Sequence, residues 1–263
     1  MNAWKNSRYR GCSSTRGGVD MGFDYSVLIV RGAVLIIPES RGLTRYDDLV
    51  NTVLYAQLAA DKQTESESDV NWYDFYMKVL DGIWMWRGKA REDLVVPAES
   101  VDTAVEWAVE SMSRVGADEG RMTADALSSI VNESGIDPAL DLLRNHMQSV
   151  GKKQSAELPV VTEMDVRMLV IVASAPTSFS SVCIEIKTRQ SLSANPLAHL
   201  YWGEDVQGPV SRRYARAYLS EVVYAPLRDK IALKVKDRIK DNVALLSLNN
   251  QGGDAGKHLE VSS

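Results

Sequence analysis

The sequence predicts an α+β protein: an N-terminal strand and helical region, followed by an antiparallel β-meander closed by an amphipathic C-terminal helix. Three observations predict it. Apolar runs of strand length, residues 27–30 and 33–37, flank Arg31-Gly32 near the N-terminus. From residue 44 to residue 151 apolar positions recur at helical spacing, and after residue 152 the period falls to two. Helices and strands are therefore segregated along the chain, which argues against the regular alternation of a parallel α/β sheet.

Residues 1–20, rich in Arg, Ser and Gly, read as a disordered leader, with Met21 an alternative start. Residues 22–38 hold one or two strands ending at Pro38. Apolar residues on both sides of Arg31-Gly32 imply burial on both faces, or a bend at Gly32. A helix is expected from Thr44 as N-cap, with Asp47 and Asp48 in a first turn that favours negative charge. Residues 61–69 (DKQTESESD) are almost devoid of apolar side chains and read as a solvated loop. Asn71 then caps a helix whose stripe is Trp72, Phe75, Tyr76, Val79, Leu80 and Ile83, with Asp74 at the third helical position. Trp84 and Trp86 follow on an exit strand.

Ser100 is expected to open another helix. Residues 116–120 break it at two glycines, and a short helix spans 123–134. Asp137-Pro138 starts the next, an N-cap followed by proline at the first position, and Gly151 follows its end. Residues 152–157 are a polar hinge. Beyond it, strands are predicted at 164–173, 181–189, 197–203 and 212–219. Ser220 then caps a terminal helix with Val223, Leu227, Ile231, Val235 and Ile239 on one side, which Pro226 kinks or starts. Residues 242–248 are a last strand. The chain thus divides into the leader, an N-terminal strand plus helical subdomain (21–151), a C-terminal sheet plus helix (152–248) and a disordered tail (249–263). The two subdomains either share one core or stand apart.

Composition is that of an ordinary water-soluble chain: 45% hydrophobic, 25% charged, net charge -5. It excludes collagen-like, disulfide-scaffold and wholly disordered classes. The acidic balance does not favour a nucleic-acid binder with a basic surface. Cys12 and Cys183 offer neither a bridge pattern nor a metal-ligand spacing, and fit a reducing compartment. No run reaches the length of a transmembrane helix, and no apolar segment follows the basic N-terminus at signal-peptide distance. The expected location is therefore cytoplasmic, or outside the cell without a standard signal peptide.

Chemistry-bearing motifs are sparse. His146 lies near a helix end, where an imidazolium can satisfy carbonyls, and His199 lies beside Tyr201; both are read as structural. His258 sits in the tail. On the central strand pair, Asp165 begins one strand and Glu185 and Lys187 share the polar face of the next. This set resembles the D…(D/E)-x-K pattern of the PD-(D/E)xK nuclease superfamily, although Met164, not proline, precedes Asp165. The resemblance implies Mg²⁺ held by Asp165 and Glu185, with Lys187 orienting or activating the attacking water. On an alternating strand the same residues read first as the solvent-facing side and only second as a metal site.

Two binding candidates remain. Trp84 and Trp86 are one. Arg212, Tyr214, Arg216 and Tyr218, on one face of a strand, are the other, as an anion or interface surface. The terminal helix carries Arg228, Lys230, Lys234, Lys236, Arg238 and Lys240 among three aspartates, read as its solvated face. The function expected is that of a non-enzymatic interaction protein, without cofactor, that binds a protein partner or assembles with itself. A toxin-like form of it associates peripherally with a membrane after rearrangement. The alternative is the Mg²⁺-dependent nuclease.

Overall fold

A computed structural model describes residues 25–38, 43–67, 69–114, 116–132, 137–150 and 163–246. The expected leader, hinge and tail, with Cys12, Met21, Gly151 and His258, lie outside them. Strands and helices are both present, around one mixed eight-stranded sheet.

The sheet starts with a hairpin, β1 (Tyr25–Val30) and β2 (Ala33–Pro38), in which Val30 faces Ala33. The turn residues are therefore Arg31 and Gly32, and Arg31 takes a positive φ of 52°. Such turns match the twist of the flanking strands, so a bend within one strand is replaced by a true hairpin. Gln57 fastens it, accepting from Gly32 N–H and donating to the Val30 carbonyl at 2.8 Å. Gly32 is also required by space: a Cβ there would lie 2.9 Å from the His146 carbonyl oxygen. Gly32→Ala is expected to lower stability by about 1–3 kcal/mol, from overpacking against backbone that cannot yield. A thermal melt unchanged from wild type would refute this.

Helix α1 (Asp47–Ser66) follows, with Tyr46 at its N-cap; Leu43–Tyr46 forms a 3-10 turn in place of a helix starting at Thr44. Asp47 and Asp48 occupy the first turn as expected. The loop expected at 61–69 is corrected: α1 runs through Ser66. Lys, Gln and Glu are good helix formers, and the Thr64 and Ser66 hydroxyls bond back to the carbonyls four residues earlier. Helix α2 (Trp72–Asp81) is capped by Asn71, whose side chain accepts from Asp74 N–H at 3.0 Å. Its buried face is rotated from the predicted stripe, taking in Tyr73 and Met77 and leaving Phe75 and Val79 half-buried.

The exit strand is longer than expected: β3 (Trp84–Leu94) runs eleven residues. The helix expected from Ser100 begins later. Residues Val101–Thr103 form β4, and α3 (Ala104–Ser113) starts behind a reciprocal cap between Thr103 and Glu106. Gly120 does not break a helix. It lies inside α4 (Ala117–Val131), where a Cβ would meet the Ser113 backbone at 2.7 Å. The glycine permits close α3–α4 contact. Helix α5 (Pro138–Met147) starts at the Asp137 cap, as predicted, and runs into β5 (Gln148–Val150).

Next come β6 (Met164–Ala175) and β7 (Ser178–Thr188), joined through Pro176 and Thr177. The strand expected at 197–203 is corrected to a 3-10 turn at Pro196–Ala198 and β8 (Leu200–Trp202). β8 pairs with β4 in a separate two-stranded sheet. β9 (Val210–Leu219) closes the meander. The terminal helix is broken into α6 (Glu221–Tyr224), α7 (Arg228–Val235), a 3-10 turn at Lys236–Arg238 and α8 (Ile239–Asn242), ahead of β10 (Val243–Leu246). Pro226 separates the first two pieces. Of the expected apolar row, Ile231 and Val235 are buried, while Val223 and Ile239 are exposed.

The main sheet runs β10-β1-β2-β6-β7-β9-β3, with β5 beside the start of β6. Among the described strands of this sheet only the β2–β6 pairing is parallel, so the meander is part of a mixed sheet that both halves of the chain build. Both faces are covered. Helices α3, α4 and α5 pack on one, against Val166, Met168, Val170, Val172, Val182, Ile184 and Ile186. Helices α1, α2 and α7 pack on the other, against Leu35, Ile37, Leu169, Ile171 and Cys183. Burial on two sides explains why β2 and β6 are apolar at consecutive positions.

Candidate functional site

Period two sends alternate residues of β6, β7 and β9 to opposite helix layers. On the α1/α2 side, β6 contributes Asp165 and Arg167, β7 contributes Cys183, Glu185 and Lys187, and β9 contributes Arg213. Register places Asp165 opposite Lys187 and Arg167 opposite Glu185. Each carboxylate of the nuclease-like set thus faces a cation across the strands. Glu185 is bonded to Arg213 at 3.2 Å, and Arg213 reaches Asp74 at 2.7 Å and the Asn71 side chain at 3.2 Å. The Arg167 guanidinium lies 3.6 Å from the centre of the Trp72 ring. Burial lowers its pKa and pushes the Cys183 thiol well up, which keeps the thiol protonated. The Trp72 indole N–H donates to Asp61, which also binds Arg31 of the β1–β2 turn. Among the described residues, no group of three His, Cys, Asp or Glu side chains is placed to hold a metal ion.

On the opposite side stand Arg212, Tyr214, Arg216 and Tyr218, which share a face as predicted. Helices α3 and α4 cover most of it. The Arg212 side chain is only 2% exposed and bonds Glu92 of β3 at 2.8 Å and Glu110 of α3 at 2.6 Å. Arg114 binds the same two carboxylates from outside. The Arg212 Nε remains buried without a partner. Arg216 reaches Glu119 of α4 at 3.5 Å, and the Tyr214 and Ser180 hydroxyls meet at 3.3 Å. Tyr218 is the exposed member, with the Arg87 guanidinium 4.8 Å from its ring centre. The hydrogen bond from Arg114 holds the Glu92 carboxyl below the ordinary glutamate range.

The two tryptophans part company. Trp84 is buried edge-on against Phe179, with ring centres 4.7 Å apart, and its N–H donates to Thr52 Oγ1 at 3.2 Å. This corrects its placement on a binding surface. Trp86 is half-buried, donates to Asp81, and lies under the Lys89 ammonium at 4.5 Å. Its partners Asp81 and Lys89 line an open groove of about 470 Å³ between α2 and the β3–β9 edge, together with Tyr73, Asp74, Met77 and Arg213 among others. Burial, with Arg31 nearby, lowers the pKa of His146, so the neutral imidazole is favoured there over the expected imidazolium. His199 is lowered likewise by burial, and its Nδ1 accepts from Ser193 N–H.

The charged groups therefore join elements: β6–β7–β9 to α2 on one side, and β9 and β3 to α3 and α4 on the other. Sequence reading missed Asp61, Glu92, Glu110 and Arg114 because each looks like an ordinary surface charge, and it missed Arg167 as well. The legible signal was a charge on an otherwise apolar strand, as at Arg167.

No family model and no curated protein matches the chain. Among solved structures, the chain is similar to a delta-endotoxin at 10% identity, covering 82% of this chain and 88% of that one, with a TM-score of 0.37. It is similar to the activated Cyt2Ba monomer from Bacillus thuringiensis subsp. israelensis at 11% identity, covering 72% and 96%, TM-score 0.38. It is also similar to the Evf virulence factor at 9% identity, covering 81% and 84%, TM-score 0.30. These likenesses are too loose to carry a function across.

Proposed function

We propose that the protein is a self-assembling, membrane-associating protein of toxin-like action, in which the β6–β7 hairpin leaves its helix cover and inserts into a bilayer together with those of other copies. The observation that carries this reading is the hairpin itself. Its strands run 12 and 11 residues, and a tilted strand crosses the hydrocarbon core in about 9–11. One side is apolar along most of its length: Val166, Met168, Val170, Val172, Val182, Ile184 and Ile186. The other side is mixed: it holds Arg167, Glu185 and Lys187 toward one end and Leu169, Ile171, Phe179 and Cys183 toward the other. A continuous apolar row can face lipid in a membrane β-barrel wall while the charged end of the opposite side faces water.

A hairpin of this kind needs a cover in water, and helices α3–α5 supply one. None of the described helices is long and apolar enough to cross a membrane. β9 is a poorer candidate, since Arg212 and Arg216 stand on its corresponding face.

Single cysteines labelled with an environment-sensitive dye test this, in a Cys12→Ser, Cys183→Ala background. With lipid vesicles, positions 182, 184 and 186 are expected to report an apolar setting and 181, 185 and 187 a wet one, alongside dye release and cross-linkable oligomers. Absence of release, or a signal without period two, would exclude insertion of this hairpin.

A further inference from the structure

The α7–α8 segment presents an apolar and basic surface that neither helix layer uses. Only Ile231 and Val235 of α7 are buried. On its outward side Leu233 is 72% exposed, and Ile239 beyond it is 37% exposed. Both line one open groove of about 380 Å³ with Lys236 and Asp229, so they belong to a single patch. Lys230 precedes Leu233 by three residues within α7, which places the two on the same side of that helix. Lys230, Lys236, Arg238 and Lys240 are all exposed. Residues 228–241 carry six basic against three acidic side chains, in a chain of net charge -5. The positive charge is thus local and opposite in sign to the whole.

We infer that this patch is the surface on which the protein first docks to an anionic lipid bilayer, lying flat with Leu233 and Ile239 in the interfacial zone and the lysines on headgroup phosphates. The inference rests on the membrane reading above and names the contact surface and the lipid class. Exposed aliphatic side chains ringed by lysines match such an interface, where apolar burial and charge attraction add. Nucleic acid fits less well: the segment exposes no aromatic ring for base stacking, and its aliphatic residues would stay in water. The sequence alone pointed to a solvated face, because spacing puts Ile239 in the buried row. The break at 236–238 turns it outward.

The experiment is co-sedimentation of the full chain with vesicles of pure phosphatidylcholine and of phosphatidylcholine with about 30% phosphatidylserine. Wild type is expected to bind the second selectively, and less so at high salt. The triple variant Lys236→Gln, Arg238→Gln, Lys240→Gln is expected to bind it on the order of a hundredfold more weakly. Leu233→Gln is expected to weaken binding with the salt dependence unchanged. All these positions are exposed, and circular dichroism checks the fold of each variant. Triple-variant binding and dye release equal to wild type would overturn this inference while leaving hairpin insertion standing. Equal wild-type binding to both vesicle types would also overturn it. Wild type that neither binds nor permeabilises either vesicle removes both readings. Tighter binding of a DNA duplex than of anionic vesicles, lost in the triple variant, would assign the patch to nucleic acid and overturn the lipid assignment.

Discussion

Trp84→Ala is expected to destabilise the protein by about 3–5 kcal/mol, whereas Trp86→Ala costs no more than about 2 kcal/mol. The two residues are adjacent on the same face of one strand in the sequence pattern, yet their surroundings differ. Trp84 fills the space between β3, Phe179 of β7 and α1, and its N–H is satisfied by the buried Thr52 hydroxyl. Alanine leaves a cavity among side chains held from two layers, and removes an edge-to-face aromatic contact as well. Trp86 lies at the rim, its N–H and ring occupied by the exposed Asp81 and Lys89. Urea midpoints at constant slope measure both. A Trp84→Ala protein within about 0.5 kcal/mol of wild type would show that the indole is not part of the core.

The second large effect concerns Arg212. Glu110→Gln is expected to cost about 1–2 kcal/mol, discounted because Glu110 is itself half exposed. Arg212→Met is expected to cost less. The asymmetry is physical: losing Glu110 leaves a buried guanidinium, already lacking a partner at Nε, with one carboxylate fewer. Losing Arg212 removes the buried charge, and Glu92 and Glu110 keep Arg114 and water. The reverse order of midpoints would rule out this account. Acid should act on the same cluster. The Arg114 hydrogen bond depresses the Glu92 pKa, so the folded state keeps this carboxylate ionised where the unfolded chain has begun to protonate. That stabilisation is complete above the ordinary value of 4.5 and is lost as pH falls through the lower folded value. A Glu92→Gln protein should therefore show a shallower fall of stability below that point.

Where sequence reading failed, it failed on local signals that tertiary contacts overrule. The polar run 61–66 looked like a loop because nothing in it is apolar. It is helical because Lys, Gln and Glu favour a helix without any apolar residue, and Asp61 is in addition held by Arg31 and Trp72. Gly120 looked like a breaker, but it marks the place where α4 touches α3. Trp84 and Arg212 looked available for binding, since a strand face does not say whether a helix lies over it. The Asp165, Glu185 and Lys187 set shares a face as the spacing requires. What spacing could not give was the neighbour across the strands: Lys187 for Asp165, Arg167 for Glu185.

The sequence by itself determined the α+β class, the caps at Asn71 and Asp137, and the strand pair centred on residues 164–189. These depend on periodicity and on side chains within four residues, which the chain carries locally. Only the tertiary structure decided that β2 pairs in parallel with β6, and that the meander belongs to one mixed sheet covered by helices on both faces. It also decided that the terminal basic segment breaks to expose Leu233 and Ile239. These depend on contacts between residues far apart in the chain, and no local pattern encodes which distant surface will arrive.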